Sequence, residues 1–318
     1  MIRTHSKELI EHPRRVKLIF VFWGYLVPLI VLIVVLYKIE GSSVLQVFGQ
    51  MPDKDILLLF CASALVPLNV YLESCKWFLI IRKSSRVSVV NCVKIVLAGK
   101  SLNLISPMGL GDGFVKYINF EKKERSQSLA LILVDRISNM IPTLILGIVA
   151  TVFLISLGVL HLSNLLIWVI SLVVTIAIIG ILISVFIQKN KKRFLKYVNA
   201  ILKIDWLDFL SFLLLASSRY LVFSFQFYLI MVWVGLDLSF WVLLLAIFWI
   251  FFIKTIIPDL TVFGDLVKRE ISAITFFSLF LPSMELIILA NVCIWIVNII
   301  VPSVIGMFFL REYRKLEI

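Results

Sequence analysis

Hydrophobic residues along this chain come in runs of about twenty, the length at which a helix crosses the ~30 Å hydrocarbon core of a bilayer. Short segments rich in Lys and Arg separate the runs. The pattern therefore predicts an all-α polytopic membrane protein with about six full transmembrane helices. The predicted spans are residues 18–37, 56–81, 127–157, 164–187, 207–234 and 286–310.

Two more apolar segments, 95–120 and 240–281, are interrupted in a similar way. The first contains Lys100, Pro107, Gly111-Asp112 and Lys116, and the second contains Lys254, Pro258, Gly264-Asp265 and Lys268. Pro and Gly break helices and leave backbone N–H and C=O groups unpaired. Lipid cannot satisfy these groups, so broken backbone at membrane depth faces protein or a water-filled cavity. We predict two broken re-entrant helix hairpins, although 240–257 and 264–281 are also long enough to be two full spans.

The basic residues indicate how the chain is oriented. Of the 31 Lys and Arg residues, 22 lie in flanking segments on one side of the predicted spans, and Lys116 is counted with them. The loops on the opposite side hold only Lys38 and Lys54. The positive-inside rule then predicts that both termini are cytoplasmic. The expected location is the cell (inner or plasma) membrane, crossed several times.

The predicted elements form two similar series. Residues 1–160 contain two spans, a hairpin and a third span, and residues 161–318 contain the same series. Each unit has an odd number of spans, so we predict two inverted-topology repeats. Gly111-Asp112 and Gly264-Asp265 lie 153 residues apart, close to half the chain. Matching helix breaks in two such repeats indicate a transporter's binding site.

Seven basic residues fall inside the predicted membrane region. They are Lys76, Lys100, Arg136, Arg219, Lys254, Lys268 and Arg269. A charge at the bilayer centre costs ~2.5–3.5 kcal/mol on insertion scales, and such residues usually face a polar cavity. Glu73 and Lys76 lie three residues apart and are expected to form a local ion pair. The remaining excess of positive charge predicts a cavity suited to an anion, and to a phosphate in particular.

The candidate substrate-binding residues follow from these charges and breaks. They are Lys100, Pro107, Gly111, Asp112, Lys116, Asp135, Arg136, Arg219, Lys254, Asp265 and Lys268. The cations would hold phosphate, helped by backbone N–H groups at the breaks. The three Asp residues would cap helices, orient the cations or contact an amine, and capping alone would explain Asp112 and Asp265.

Composition and motifs argue against several other classes of protein. The chain is 61% hydrophobic, above the ~45–50% of soluble domains. Its net charge of +12 arises from residues that flank spans, so no nucleic-acid partner is expected. The four Cys and three His have no metal-ligand spacing, and no cofactor is expected. No nucleophile or general-base pair stands out, so we do not expect an enzyme.

Two segments resemble a known family. Residues 106–116 read SPMGLGDGFVK and residues 128–139 read SLALILVDRISN. The order of a Pro, a Gly-rich break with an acid, a basic residue and an acid-Arg pair resembles the lysylphosphatidylglycerol synthase transmembrane family, also called flippase-like domains. The sequence departs from that pattern at Lys116, where Arg is common, and at Ser138 and Asn139, where an acid often follows. The chain ends at Ile318 with no aminoacyl-transferring domain, so the resemblance implies the lipid-moving part alone.

These observations lead to a functional expectation. We expect a flippase that moves an anionic or zwitterionic phospholipid (aminoacylated phospholipids included) or a lipid-phosphate headgroup between leaflets through a polar mid-membrane cavity. One alternative is a secondary transporter of a small soluble anion, whose cavity would be closed to lipid. Another is a non-transporting membrane subunit of a lipid-modifying enzyme. Membrane lipids are the expected partners, with a second copy of the chain or a separate lipid-modifying enzyme as the protein partner.

Overall fold

The computed structural model describes most of the chain outside its first 55 residues and one long internal segment. The described residues are 56–85, 87–106, 110–120, 124–158, 201, 204–257, 264–278, 280 and 284–314. The predicted spans 18–37 and 164–187 therefore lie outside the described residues, and so do Pro107 and Pro258.

The described part of the chain is helical and contains no strand. Its helices are α1 (Ile56–Ile81), α2 (Val89–Ile105), α3 (Leu110–Ile118), α4 (Arg125–Ser156), α5 (Trp206–Val234), α6 (Phe240–Ile256), α7 (Gly264–Phe277), α8 (Met284–Trp295) and α9 (Val301–Arg314). A π-helical turn, Ile296–Ile300, joins α8 and α9 into one continuous helix.

Four stretches within the described helices are long and apolar enough to cross a membrane. They are Ile56–Ile81, Gln127–Ser156, Trp206–Val234 and Glu285–Leu310. These ranges confirm four predicted spans to within a few residues. Large apolar side chains on them, such as Phe60, Leu214 and Val152, are exposed, as expected for helices that face lipid.

The two interrupted segments each form a pair of short helices. The first helix of each pair, α2 or α6, ends two residues before the Pro, and the second begins one residue before Gly111 in α3 and at Gly264 in α7. In the first pair, Gly111 at the start of α3 lies against the backbone of Leu102 and Asn103 in α2. A Cβ atom at Gly99 would lie 2.6 Å from Asp112 Oδ1. These two glycines allow α2 and α3 to pack backbone against backbone.

The packing of the helices brings distant parts of the chain together. The long helices α1 and α5 pack along one another, α2 packs against α9, and α6 packs against α4. At the α2–α9 contact, Ser303 Oγ donates a hydrogen bond of 3.1 Å to the Lys100 carbonyl. Ser101 Oγ donates a second one to the Ser303 carbonyl. These contacts enclose a polar region in the middle of the bundle.

Candidate functional site

A cavity of about 400 Å³ lies between α1, α2, α4, α5, α6, α7 and the end of α8. Its polar wall is formed by Asn69, Lys100, Asn103, Ser106, Asn139, Thr143, Arg219, Tyr220, Lys254, Thr255, Arg269 and Asn298. Leu104, Met140, Ala216, Phe223, Phe251, Trp295 and Ile299 complete the lining. The volume lies within the ~300–1,000 Å³ of typical ligand pockets.

Four cations from four different helices line this cavity. They are Lys100 of α2, Arg219 of α5, Lys254 of α6 and Arg269 of α7. No Asp or Glu is among its described lining residues. Arg269 is fully buried, and Lys254 lies in the last turn of α6, where the helix dipole favours a cation. The described wall of the cavity thus brings together cationic side chains that are far apart in the sequence.

Side-chain amides supply further hydrogen-bond donors. Asn69 and Asn298 are 3% and 5% exposed, and the Nδ2 atom of each has no hydrogen-bond partner among the described residues. Both residues line the cavity. Asn298 lies in the π-helical turn, a feature frequent at functional sites. Because a buried donor without a partner is costly, these two amides indicate a place for an acceptor-rich ligand or for water.

A cluster of buried ion pairs adjoins the cavity. Asp135, which is 1% exposed, lies 2.9 Å from Lys76 Nζ and 2.7 Å from Lys116 Nζ. Lys116 Nζ also lies 2.8 Å from Asp112 and 3.7 Å from Glu73. The predicted Glu73–Lys76 pair is confirmed at 3.4 Å. With Arg219, the cluster contains three acids and three cations, so its formal charges balance.

Lys116 is the most enclosed cation of this cluster. It is fully buried, and its Nζ atom lies 4.9 Å from the centre of the Trp77 ring. It is therefore not one of the flanking charges with which it was counted, and that assignment was wrong. The spacing between Asp112 and Lys116 places both on one face of α3, where they pair.

Arg219 connects the ion-pair cluster to the cavity. Its Nε atom lies 3.1 Å from Glu73 Oε2 and donates a 3.2 Å hydrogen bond to Asn69 Oδ1. Its Nη1 atom donates a 3.2 Å bond to Asn139 Oδ1. The same Asn139 oxygen accepts a 2.5 Å bond from Lys76. Arg219 is thus shared between buried acids and the cavity wall.

The break between α2 and α3 is capped by side chains. Ser106 Oγ accepts a 2.8 Å hydrogen bond from the Gly111 N–H, and Asn103 Oδ1 accepts a 2.7 Å bond from the Asp112 N–H. The prediction that Asp112 caps this helix is therefore wrong. Its carboxylate lies in the first turn of α3 and binds Lys116, so Asp112 orients a cation.

The predicted site residues fall into separate groups. Lys100, Arg219 and Lys254 line the cavity, whereas Asp112, Lys116 and Asp135 belong to the ion-pair cluster. Gly111 serves the contact between α2 and α3. Pro107 and the side chain of Asp265 lie outside the described residues.

Arg136 and Lys268 are the two predicted residues that belong to neither group. The Arg136 guanidinium lies near Gly113, 3.5 Å from the position of a Cβ atom there, and does not line the cavity. Lys268 Nζ donates hydrogen bonds of 2.9 and 2.6 Å to the carbonyls of Lys254 and Ile257. Lys268 therefore caps the end of α6.

Sequence reasoning missed the amides of the site. Asn69, Asn103, Asn139 and Asn298 all line the cavity, yet no amide residue was selected. An Asn in the middle of an apolar span is a polar group in the membrane. Like a charged residue there, it indicates a polar surrounding and could have been selected on that ground. Arg269 was noted among the intramembrane cations but not selected, although it lines the cavity.

The fold and the cavity together define a helical membrane protein with a cation-lined internal chamber. The model of the family described as lysylphosphatidylglycerol synthase TM region matches residues 18–306, and the chain belongs to that family. This match confirms the resemblance seen at residues 106–116 and 128–139, and it indicates a membrane protein related to lipid handling. No curated protein and no solved structure matches the chain.

Proposed function

We propose that this protein moves a phospholipid or lipid-phosphate headgroup, anionic or zwitterionic, between the two leaflets of the cell membrane. The observation that carries the proposal is the cavity lined by Lys100, Arg219, Lys254 and Arg269. Buried cations in a membrane usually mark a substrate path. A phosphate group would neutralise part of this charge while the lipid tails remain in the bilayer.

The contacts between helices support an inverted repeat. If α1, α2, α3 and α4 correspond to α5, α6, α7 and α8–α9, then the contact of α2 with α9 corresponds to that of α6 with α4. Both contacts are extensive, and α1 packs against its own counterpart α5. A pseudo-two-fold axis between the units would relate the α2–α9 contact to the α6–α4 contact, because in each of them the hairpin of one unit packs against the last span of the other. The cavity lies between the proposed units, where rocking would open it to either side.

Helix lengths support the re-entrant interpretation of the second interrupted segment. The helices α6 and α7 have 17 and 14 residues. At 1.5 Å per residue they are ~25 Å and ~21 Å long. Both are shorter than the ~30 Å hydrocarbon core, so a hairpin that enters and returns fits them better than two full spans.

An exposed residue at the cavity supports a lipid rather than a soluble substrate. Met140 lines the cavity and is 43% exposed. It lies at the middle of α4, one of the helices long and apolar enough to cross a membrane. A headgroup could enter beside Met140 while its tails stay in lipid. A transporter of a soluble anion requires no such lateral access.

Reconstitution tests the proposal. The purified full chain would be placed in liposomes that contain fluorescent phospholipids. A membrane-impermeant quencher would then be added, and the loss of fluorescence from phospholipids that start in the protected inner leaflet would be followed over time. We expect movement above protein-free liposomes, and slower movement by about tenfold in Lys254→Gln, the effect of ~1.4 kcal/mol of lost binding. Lys83→Gln is the matched control, because Lys83 is exposed in the turn after α1 and does not line the cavity.

Two results would count against lipid movement. One is a folded, monodisperse protein that moves none of the anionic or zwitterionic phospholipids tested. The other is equal activity of the wild type and the Lys254 variant. In parallel liposomes, uptake of radiolabelled inorganic phosphate without lipid movement would favour the soluble-anion alternative. If the protein shows no lipid movement and no phosphate uptake, and a lipid-modifying enzyme co-purifies with it, the membrane-subunit alternative would be favoured.

A further inference from the structure

The last span contains a helix break that has a local cause. In the π-helical turn between α8 and α9, the Val301 N–H donates a hydrogen bond to the Ile296 carbonyl, five residues earlier. Residue 302 is Pro, which has no N–H to donate to the Asn298 carbonyl four residues before it. Its ring would also crowd that carbonyl in a regular α-helix. The sequence Asn298-Ile-Ile-Val-Pro302 therefore explains why the helix widens at Asn298.

Apolar packing holds this turn against the wall of the cavity. Leu104 of α2 forms a buried cluster with Trp295 and Ile300, which flank the turn. The turn also contacts α1. Asn298 lies between Trp295 and Ile300 in the chain, is 5% exposed and lines the cavity. The position of its side chain is thus fixed by neighbours on both sides.

The amide of Asn298 differs from the other buried amide of the same helix. Asn298 Nδ2 has no hydrogen-bond partner among the described residues. Asn291, seven residues earlier, is fully buried, donates a 3.2 Å hydrogen bond from its Nδ2 atom to Glu270 Oε2 and does not line the cavity. A buried donor without a partner lowers the stability of a protein. Asn291 therefore serves the packing of α8 against α7, whereas the Asn298 donor has no such structural use.

We propose that Asn298 is a substrate-binding residue, whose amide donates a hydrogen bond to a phosphate oxygen of the bound headgroup. The inference rests on the proposed function and adds a neutral contact to its charged ones. An Asn Nδ2 atom can only donate hydrogen bonds, and the oxygens of an ionised phosphate are strong acceptors. A lipid headgroup and free phosphate share this chemistry, so the experiment compares the two.

Asn69 of α1 supplies a second donor of the same kind. Its Oδ1 atom accepts a 3.2 Å hydrogen bond from Arg219 Nε. Because a guanidinium group can only donate, this bond fixes which end of the amide faces Arg219. The Nδ2 end is buried and has no partner among the described residues, and Asn69 lines the cavity. Since the π-helical turn contacts α1, the two amides lie on adjoining elements of one wall.

Binding measurements in detergent test the inference. Dihexanoyl phosphatidic acid and inorganic phosphate would be titrated into the full-length protein by calorimetry, and the melting temperature of the ligand-free protein would be measured in parallel. Asn298→Leu removes the donor at similar size and unchanged charge. We expect this variant to bind dihexanoyl phosphatidic acid about tenfold more weakly, as for the loss of a hydrogen bond to a charged group. Its melting temperature should not fall, because no described hydrogen-bond partner of the Nδ2 atom is lost.

Asn291→Leu is the matched control on the same helix. It should lower the melting temperature, because Glu270 loses its hydrogen-bond donor, and leave the affinity unchanged. The opposite patterns of the two variants distinguish a ligand contact from a structural role. If Asn298→Leu keeps the wild-type affinity, or loses affinity only together with stability, the inference is wrong.

A second variant tests the turn that presents Asn298. Pro302→Ala restores the N–H that a regular α-helix requires at this position. We expect the helix to close, the Asn298 side chain to turn away from the cavity and binding of dihexanoyl phosphatidic acid to weaken in the folded protein. Unchanged affinity in this variant would contradict the inference, because Asn298 would then bind equally well without the π-helical turn.

The two probes separate the inference from the proposed function. If inorganic phosphate binds as tightly as dihexanoyl phosphatidic acid and both depend on Asn298, the inference stands and the lipid substrate fails. If the lipid binds through Asn298 but does not move in liposomes, the inference stands and the flippase function fails. If lipid moves and the affinities of wild type and Asn298→Leu are equal, the function stands and the inference fails. If neither probe binds to folded protein, the inference is also wrong.

Discussion

Arg219 Nε lies 3.1 Å from Glu73 Oε2, and the same arginine side chain lines the cavity. The side chain of Arg219 is 30% exposed, whereas that of Glu73 is only 9% exposed. Glu73 therefore holds Arg219 from the protein side, and a phosphate would attract it from the cavity side. An anion bound in the cavity would therefore act on the contact between α1 and α5.

The first prediction concerns this competition. Glu73→Gln should strengthen binding of dihexanoyl phosphatidic acid several-fold, because Arg219 loses its buried counter-charge and the cavity becomes more positive. Arg219→Gln should weaken the same binding. Calorimetric titration of the detergent-solubilised protein measures both. Effects of the same sign in the two variants would refute a competition for Arg219.

The second prediction concerns the stability of the ion-pair cluster. Asp135→Asn removes the acid shared by Lys76 and Lys116, and leaves a buried positive charge. Breaking a buried pair in this way should lower the free energy of unfolding by about 3–5 kcal/mol. Denaturant unfolding followed by circular dichroism measures the change.

A double variant provides the control for that cluster. Lys116→Met removes one cation, so Asp135→Asn combined with Lys116→Met should cost less than the sum of the two single changes. Glu124→Gln is a further control, since Glu124 precedes α4 and makes no side-chain capping hydrogen bond. Strict additivity of the two cluster changes would show that the residues do not interact.

The third prediction concerns the contact between α2 and α3. Gly111→Ala should destabilise the hairpin, because the added Cβ would overlap the backbone of Leu102 and Asn103. Gly113→Ala, two residues further along α3, is the matched control. A Cβ there would meet its nearest atom at 3.5 Å, and Ala favours a helix by ~0.5–1 kcal/mol over Gly. Thermal unfolding should separate the two variants, and equal melting temperatures would contradict the close packing.

The fourth prediction concerns pH at the surface. Lys83 Nζ lies 2.6 Å from Asp205 and 2.6 Å from Asp208, and hydrogen bonds to these carboxylates raise its pKa above the ordinary 10.5. The ion pairs of Lys83 therefore stabilise the folded protein fully at pH values below the pKa of Lys83 in the unfolded chain. This stabilisation is lost as the pH rises through the pKa of Lys83 in the folded protein. Because Lys83 is exposed, we expect a small effect on stability.

Carbon-13 NMR of lysine Cε atoms would measure this pKa directly, with Lys83→Arg identifying the signal. Asp205→Asn should return the Lys83 pKa toward 10.5. An unshifted Lys83 in the wild-type protein would show that the ion pairs do not form in solution.

The position of the described spans could be predicted from the sequence because the signals are local. A run of apolar residues is sufficient to identify a membrane helix, since each helix satisfies its own backbone hydrogen bonds. The predicted 56–81 coincides with α1, and the predicted 207–234 begins one residue inside α5. The helix breaks were predictable for the same reason, because Pro and Gly act on their own segment of backbone.

The membership of the site could be predicted only in part. Lys100, Arg219 and Lys254 were selected because a charge inside the membrane needs a polar surrounding, and all three line the cavity. Arg136 met the same criterion but does not line it. The depth of a residue in the membrane follows from its position within an apolar run of the sequence. The direction in which its side chain points depends instead on how its helix is rotated against the neighbouring helices.

The sequence by itself therefore determined a multi-spanning helical protein, the places where its helices break and the family to which it belongs. Only the tertiary structure decided which polar and charged side chains of different helices meet. Arg219 meets Asn69, 150 residues away, and Lys116 meets Asp135 of another helix. The physical reason is that buried charges and amides are satisfied by whatever partners packing brings within hydrogen-bond reach, and no local pattern specifies partners so distant in the chain.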